Sequence, residues 1–168
     1  TSFQAIKRLA PSGMDTAVAF GLGPVGLSGV MWLKMMGSRV IGVDLIPERL
    51  SLAKRLGADV VIDASAVDPV PAIADLTSGR GADVALDLTG VPKARVQALQ
   101  CRRRGGRMGF GGEVGDTTID VHSMFIVKNL TAIGSRIFDK PTLAQAARLV
   151  AARDLPLDES VTGRYALD

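Results

Sequence analysis

Short apolar runs alternate along the chain with longer segments of helical periodicity. Several of the longer segments have proline near their start and glycine just past their end, a pattern typical of helices. The alternation predicts a parallel sheet covered by helices on both faces, with strands apolar on both sides. The predicted strands are 16–21, 39–44, 59–63, 83–90, 106–112 and 130–137. The predicted helices are the opening segment 1–13, then 24–37, 47–57, 69–77, 92–105, 121–128 and 140–154.

Six strands with short crossovers fit a doubly wound α/β sheet, a Rossmann fold, in the order 3-2-1-4-5-6. This order places a ligand crevice at the carboxyl ends of strands 1 and 4. A length of 168 residues suffices for one domain with a full core. We therefore interpret 1–168 as one domain. Because it opens in a predicted helix without an initiator methionine, we expect it to be a fragment of a longer protein.

The sequence GLGPVG, residues 21–26, matches the G-x-G-x-x-G pattern between a predicted strand and a predicted helix. In this setting Gly21 makes the tight turn, Gly23 lets the backbone approach a pyrophosphate, and Gly26 lets the helix pack closely. Pro24 gives up an N–H that the helix start does not need. The helix would then offer free N–H groups and its positive dipole end to phosphates.

Asp44 ends the second predicted strand, where an acid accepts hydrogen bonds from the adenosine ribose. A 2′-phosphate would meet like charge there, so NAD is favoured over NADP. Arg49 leaves NADP open, because an arginine there would either hold a phosphate or pack against the adenine.

The formal net charge of +3 is mild, and the only dense basic cluster is CRRRGGR, residues 101–107. A nucleic-acid patch is one interpretation of this cluster. We favour a solvated helix end, whose arginines complement the terminal carbonyls, and expect no nucleic-acid partner. No apolar run is long enough to cross a membrane and no signal peptide is visible, so we expect no membrane partner.

The cysteine and histidine counts limit the chemistry of the chain. A single cysteine, Cys101, excludes an internal disulfide and indicates a reducing, cytoplasmic location. One cysteine and one histidine do not supply a structural zinc site. The single tyrosine, Tyr165, has no lysine four positions after it, so we expect no Tyr-x-x-x-Lys dehydrogenase site.

Four segments in order carry a family resemblance: the stretch from VAFGLGPVGLSG to RLGAD, then TSGRGADVALDLTG, RRGGRMGFGG and LTAIGSR. They resemble the coenzyme domain of the medium-chain, zinc-dependent alcohol dehydrogenase family over nearly the whole chain. Strand 5 departs from the family pattern, since Gly109 stands where many members keep an aliphatic residue, and we expect it to loosen the sheet locally.

The resemblance implies cofactor contacts along the carboxyl edge of the sheet. The backbone from Gly21 to Val25 would hold the pyrophosphate, and Asp44 and Arg49 would bind the adenosine. The LTG segment would lie along the cofactor, and the glycines after strand 5 near the nicotinamide ribose. The cofactor-binding set is therefore Gly21, Leu22, Gly23, Pro24, Val25, Gly26, Asp44, Arg49, Leu88, Thr89, Gly90, Gly111 and Gly112.

In the resembling enzymes a separate N-terminal domain supplies most ligands of the catalytic zinc, and an alcohol passes hydride to NAD. The resemblance therefore implies an alcohol or polyol dehydrogenase whose zinc and substrate contacts lie outside this chain. We assign no catalytic and no metal-binding residue here, and expect this chain alone to be inactive.

Two other functions stay open from the sequence. A regulatory NAD-sensing module would use the same loop without a catalytic partner. S-adenosylmethionine-dependent methyltransferases also combine a glycine-rich first loop with an acid after strand 2. The apolar sixth strand is expected at a sheet edge with unpaired backbone groups, and the resemblance implies a homodimer joined through such edges.

Overall fold

The computed structural model describes residues 1–163 and 166; Tyr165 lies outside them. Its six strands form one parallel sheet in the order β3-β2-β1-β4-β5-β6, which confirms the predicted fold. The strands are β1 (Thr16–Phe20), β2 (Arg39–Asp44), β3 (Val60–Asp63), β4 (Ala82–Asp87), β5 (Arg102–Phe110) and β6 (Thr131–Gly134). The α-helices are α1 (Ser2–Leu9), α2 (Pro24–Met35), α3 (Pro47–Arg55), α4 (Pro69–Leu76), α5 (Pro92–Gln100) and α6 (Lys140–Arg153). A π-helix spans His122–Ile126 and a 3-10 helix spans Asp158–Ser160.

The core consists of two apolar clusters, one on each face of the sheet. On β1, Ala17 and Ala19 belong to the first cluster, whereas Val18 and Phe20 belong to the second. Because side chains alternate along a strand, this division shows that β1 is buried on both faces. Helices α1, α2 and α3 contribute to the first cluster, and α4 and α5 to the second.

Gly109 on β5 does not loosen the sheet, contrary to the expectation from the sequence. It lies in continuous register with Leu86 on one side and Ile133 on the other. A Cβ at this position would lie 2.8 Å from Cδ2 of Leu86 and 3.0 Å from Cδ1 of Leu9. The missing side chain therefore makes room for the end of α1 to pack against the sheet.

The predicted boundary between helix 92–105 and strand 106–112 is wrong. Helix α5 ends at Gln100, and β5 begins at Arg102. The carbonyl of Cys101 accepts a hydrogen bond from the N–H of Ala82 at 2.9 Å, so pairing with β4 overrides the helical propensity of the arginines. The register then jumps, because Arg102 pairs with Ala82 and Arg107 with Val84. The intervening residues bulge from the ladder, and Gly105 takes a positive φ of 71° within them.

The basic cluster is accordingly not a solvated helix end. The side chain of Arg102 is buried, and that of Arg103 forms an ion pair with Asp83. Across the described part of the chain, no helix is long and apolar enough to span a membrane.

Asp83 ties three elements together at the amino end of β4. Its buried carboxylate accepts hydrogen bonds from Arg80 at 2.7 and 2.8 Å, from the N–H of Thr16 at 2.8 Å, and from Arg103. Burial alone would raise the pKa of Asp83, but the hydrogen bonds from Arg80, Thr16 and Arg103 outweigh burial and hold that pKa well below its usual range.

We expect Asp83→Asn to lower the free energy of unfolding by about 3 kcal/mol at neutral pH, because the arginines lose their buried counter-charge. Since the folded protein lowers the pKa of Asp83, its contribution is complete above the unfolded pKa of about 4 and is lost as the pH falls below it. The difference in free energy of unfolding between wild type and Asp83→Asn should therefore become smaller at acidic pH. Urea unfolding at several pH values measures this difference.

The matched control is Glu113→Gln, which removes an exposed pair with Arg136. It should leave stability unchanged within error, since exposed ion pairs contribute little. A constant gap between wild type and Asp83→Asn down to pH 2 would contradict the role given to Asp83.

Candidate functional site

A cleft of about 430 Å³ lies at the carboxyl ends of β1, β2 and β4. It occupies the point where the strand order reverses, because β1 has β2 on one side and β4 on the other. In doubly wound sheets this is the place for a ligand crevice. Six residues of the predicted cofactor-binding set line it: Gly21, Gly23, Asp44, Arg49, Leu88 and Thr89.

The three glycines of the loop differ in what surrounds them. Gly21 has a φ of 86°, and a Cβ there would lie 2.7 Å from Cγ2 of Thr89. A Cβ on Gly26 would lie only 1.8 Å from the carbonyl oxygen of Gly21, so the helix touches the turn directly. A Cβ on Gly23 would meet nothing within 4 Å. Two glycines therefore serve the turn and its packing, and the third faces open space.

The start of α2 is left without a side-chain cap. Gly23 is the N-cap residue and Pro24 occupies the first turn. The first N–H groups of a helix have no partner within it, so those of Val25 and Gly26 remain free for an acceptor. Together with the helix dipole they favour an anion at this point. Leu22 is buried, so it presents only its backbone to the loop.

Asp44 has a structural role that sequence reasoning missed. Its Oδ2 accepts a hydrogen bond from the N–H of Leu22 at 2.6 Å, and its Oδ1 accepts from Leu45 at 2.7 Å and Ile46 at 3.0 Å. A carboxylate has about four acceptor positions, so one remains on Oδ2. Among the described residues Asp44 forms an ion pair with Arg49, whose Nη1 lies 3.7 Å from Oδ2.

A second buried acid, Asp87, closes β4 beside the cleft. Its Oδ1 accepts hydrogen bonds from the hydroxyl of Thr89 at 2.7 Å and from the N–H groups of Thr89 and Gly90. Its Oδ2 accepts from Nε of Arg95 at 2.9 Å. The segment that follows β4 is thus held by a fully buried carboxylate.

Arg95 on α5 was also missed from the sequence. Besides Asp87, its guanidinium donates hydrogen bonds to three carbonyls of the loop after β5, those of Gly112, Val114 and Gly115. An acid ending one strand and an arginine in the next helix are the only sequence signal, and many such pairs never meet. Arg95 therefore joins the loop after β5 to α5 and to the end of β4.

Gly90, Gly111 and Gly112 do not line the cleft, and they pack where the loops after β4 and β5 meet. A Cβ on Gly112 would lie 2.0 Å from the nitrogen of Gly90, and one on Gly111 would lie 2.8 Å from Cδ2 of Leu88. Gly90 itself has a φ of 72°. These contacts bring the loops after β4 and β5 together. Cofactor contact by these three glycines stays a prediction.

Part of the cleft lining comes from residues that the sequence did not single out. Lys93, Ala94 and Gln97 of α5 line the cleft, as does Ala64 after β3. Their spacing on α5 puts them on one helix face, which would have identified them once α5 had been placed at the switch point. Besides Arg49, Lys93 is a second cation in the lining of the cleft.

The described residues do not fit a zinc site. Within 1–163 and 166, no three residues among the cysteine, histidine, aspartate and glutamate side chains are grouped so that they could hold a metal ion. Zinc has three or four such ligands in proteins. No step of the chemistry is therefore assigned to a metal in this part of the chain.

Comparisons with known proteins agree on one family. The family described as zinc-binding dehydrogenase matches residues 24–152. A zinc-type alcohol dehydrogenase-like protein of Escherichia coli is 35% identical over 100% of this chain and 48% of its own length. An erythritol/L-threitol dehydrogenase of Mycolicibacterium smegmatis is 35% identical over 99% of this chain and 46% of its own length.

Solved structures show the same similarity. An alcohol dehydrogenase from Thermotoga maritima superposes with a TM-score of 0.89 at 28% identity, over 96% of this chain and 46% of that one. An alcohol dehydrogenase from Aeropyrum pernix gives 0.86 at 30% identity, over 95% and 48%. The chain thus spans about half the length of the relatives it matches.

The glycine contacts lead to opposite expectations for two alanine variants. Gly26→Ala should lower the free energy of unfolding by about 3 kcal/mol, because the methyl group would collide with the carbonyl of Gly21 and push α2 away. Gly23→Ala should change it by less than about 0.5 kcal/mol, because its methyl group would enter open space. Urea unfolding of both variants measures this contrast, and equal losses would contradict the packing described.

Proposed function

Because the chain belongs to the zinc-binding dehydrogenase family, we propose that its cleft binds NAD(H) as the coenzyme-binding part of an alcohol or polyol dehydrogenase. The observation that carries the proposal is the open space at Gly23, directly before an uncapped helix start and on the same cleft as Asp44. A pyrophosphate fits the first feature and an adenosine ribose fits the second.

The residues around the cleft would each have a defined task. The loop Gly21–Leu22–Gly23–Pro24–Val25–Gly26 brings backbone N–H groups to the pyrophosphate. The last acceptor position of Asp44 takes a ribose hydroxyl, and Arg49 flanks the adenine. Leu88, Thr89 and Gly90 lie along the coenzyme, and Gly111 and Gly112 approach the nicotinamide ribose. When bound, the nicotinamide supplies the hydride acceptor or donor.

NAD is the preferred coenzyme in this proposal. Asp44 is buried and accepts three backbone hydrogen bonds, so its side chain is held in place where the ribose would lie. A 2′-phosphate would be repelled by this carboxylate. Arg49 and Lys93 border the same cleft, and their positive charges would attract a 2′-phosphate. The repulsion between that phosphate and Asp44 would remain.

The alcohol and the zinc would be bound by a part of the enzyme beyond these residues. The support is that the chain matches about half of each relative, and that the described residues group no metal ligands. The work of this part is to bind and orient the coenzyme across the switch point.

We also propose a cytoplasmic location and a homodimer joined along β6, whose outer edge pairs with no other described strand.

Coenzyme binding is tested by titrating NADH into the purified chain and following its fluorescence. We expect saturable binding that is lost in Gly23→Val, because the added side chain would occupy the space for the pyrophosphate. The melting temperature of this variant is the control for folding. Absence of NADH binding by the wild type would contradict the proposal.

Two further arms of the same experiment separate the alternatives. S-adenosylmethionine should not raise the melting temperature, whereas NAD should; the reverse result would indicate a methyltransferase. Mixing the chain with NAD and simple alcohols should produce no NADH. Alcohol-dependent NADH formation by this chain alone would contradict the assignment of the alcohol site to another part.

Coenzyme preference is tested by a pair of variants with opposite effects. Asp44→Ala should weaken NAD binding more than NADP binding, because it removes both a hydrogen-bond acceptor for the ribose and a charge that repels the 2′-phosphate. Arg49→Gln should weaken NADP more than NAD. Since Asp44 also holds three backbone amides, only the ratio of the two affinities, measured on folded protein, is informative.

Arg55→Gln is the matched control, because Arg55 is exposed on the same helix and does not line the cleft. It should leave the ratio unchanged. Equal losses of NAD and NADP affinity in Asp44→Ala would show that Asp44 does not contact the ribose.

A further inference from the structure

A second cleft, of about 340 Å³, lies at the opposite end of the sheet. It is bordered by the loop before β4, the start of β5 and the segment after the π-helix. Four basic side chains line it, and within residues 1–163 no carboxylate does. They are Arg80, Arg102, Arg104 and Lys128.

Arg102 is a buried cation for which residues 1–163 supply no counter-charge. Only 2% of the residue is exposed, and its Nη2 donates to the carbonyl of Leu99 at 3.0 Å. Its Nε and Nη1 have no hydrogen-bond partner among the described residues. Burial lowers the pKa of Arg102 to about 10, so the guanidinium remains charged at neutral pH. A buried cation with unpaired donors is costly unless an anion joins it.

Lys128 brings a second charge to the same place. Its ammonium donates to the carbonyls of Gln100 at 2.7 Å and of Arg102 at 3.1 Å, which leaves one of its three donors free. Burial and the charge of Arg102 both lower the pKa of Lys128. Two neighbouring cations therefore repel each other at the wall of the cleft.

The groups nearby that carry or acquire negative charge do not offset these cations. Asp83 is already engaged with Arg80 and Arg103. Burial raises the pKa of Cys101 to about 12, so its thiol stays neutral beside Arg102. Arg104 is exposed and forms no ion pair with the part of the chain that the structure describes.

Gly81 explains how the loop before β4 approaches these residues. It has a φ of 83°, and a Cβ there would lie 2.8 Å from the nitrogen of Arg103 and from the carbonyl oxygen of Cys101. The glycine lets the loop lie against the start of β5. The cleft is thereby closed on the side of Arg80.

We propose that this cleft binds a tetrahedral oxyanion, either inorganic phosphate or the phosphoryl group of a small phosphomonoester, through Arg102, Arg104 and Lys128. Guanidinium groups and an ammonium are the side chains that recognise phosphate oxygens, through charge-assisted hydrogen bonds. A nucleic-acid strand does not fit the burial of Arg102, because tracking a backbone requires a row of exposed charges.

Thermal unfolding of the chain in phosphate, against chloride at equal ionic strength, tests the site. Phosphate at ten times its dissociation constant should raise the melting temperature by about 4 °C. Glycerol 3-phosphate is the second probe. A larger shift with the ester identifies a phosphorylated small molecule as the source of the phosphoryl group, and a larger shift with inorganic phosphate identifies the free ion. No shift with either probe would overturn the proposal.

Three variants locate the binding site. Arg102→Met should abolish the phosphate shift while its melting temperature in chloride equals or exceeds that of the wild type, because an unpaired buried charge is removed. Arg104→Gln and Lys128→Gln should each lower the affinity for phosphate about tenfold. Arg104 is exposed, so its variant remains informative if a buried substitution prevents folding.

Two controls separate this cleft from other basic and phosphate-binding sites. Arg55→Gln, an exposed arginine on α3 away from the cleft, should retain the full shift. Gly23→Val should also retain it, because its substitution lies at the other end of the sheet. A shift that survives both Arg102→Met and Arg104→Gln, or that disappears in Gly23→Val, would overturn the proposal.

Discussion

The close approach of α2 to the turn after β1 is the contact on which the geometry of the cleft depends. The backbone of Gly26 lies against the carbonyl of Gly21, so the helix begins directly at the carboxyl end of the strand. Asp44 holds the same loop from the other side through the N–H of Leu22. One contact places the helix start and the other fixes the loop, and both must hold for the free amides to face the cleft.

The two ends of the sheet carry different electrostatics. At the carboxyl end, the buried acids Asp44 and Asp87 accept hydrogen bonds from backbone amides and from Arg95, and the cations that line the cleft, Arg49 and Lys93, are exposed. At the amino end, Asp83 is paired with two other arginines, so that Arg102 has no counter-charge in the part of the chain that the structure describes. The carboxyl end suits a ligand that offers hydroxyl groups to Asp44 and a pyrophosphate to the helix start. The amino end suits a compact anion.

The strand order was predictable because apolar runs, proline and glycine positions act locally and agreed with one another. The glycine loop and Asp44 were predictable because their pattern reflects backbone geometry. The start of β5 was not, since an arginine-rich segment favours a helix until β4 offers a pairing partner. The bond from the N–H of Leu22 to Asp44 and the bonds from Arg95 to the loop after β5 were missed because they join segments 17 to 22 residues apart, and no local pattern reports them.

β4 carries a buried aspartate at each end, Asp83 paired with Arg80 and Arg103, and Asp87 paired with Arg95. It is also flanked by β1 and β5, whereas the edge strands β3 and β6 each have four residues and one neighbour. Local opening is easiest where buried contacts are few. In a single copy of the chain the stability of the sheet is therefore graded: local opening is easiest at its two edges and hardest at β4, and pairing of two copies along β6 would remove one of those edges.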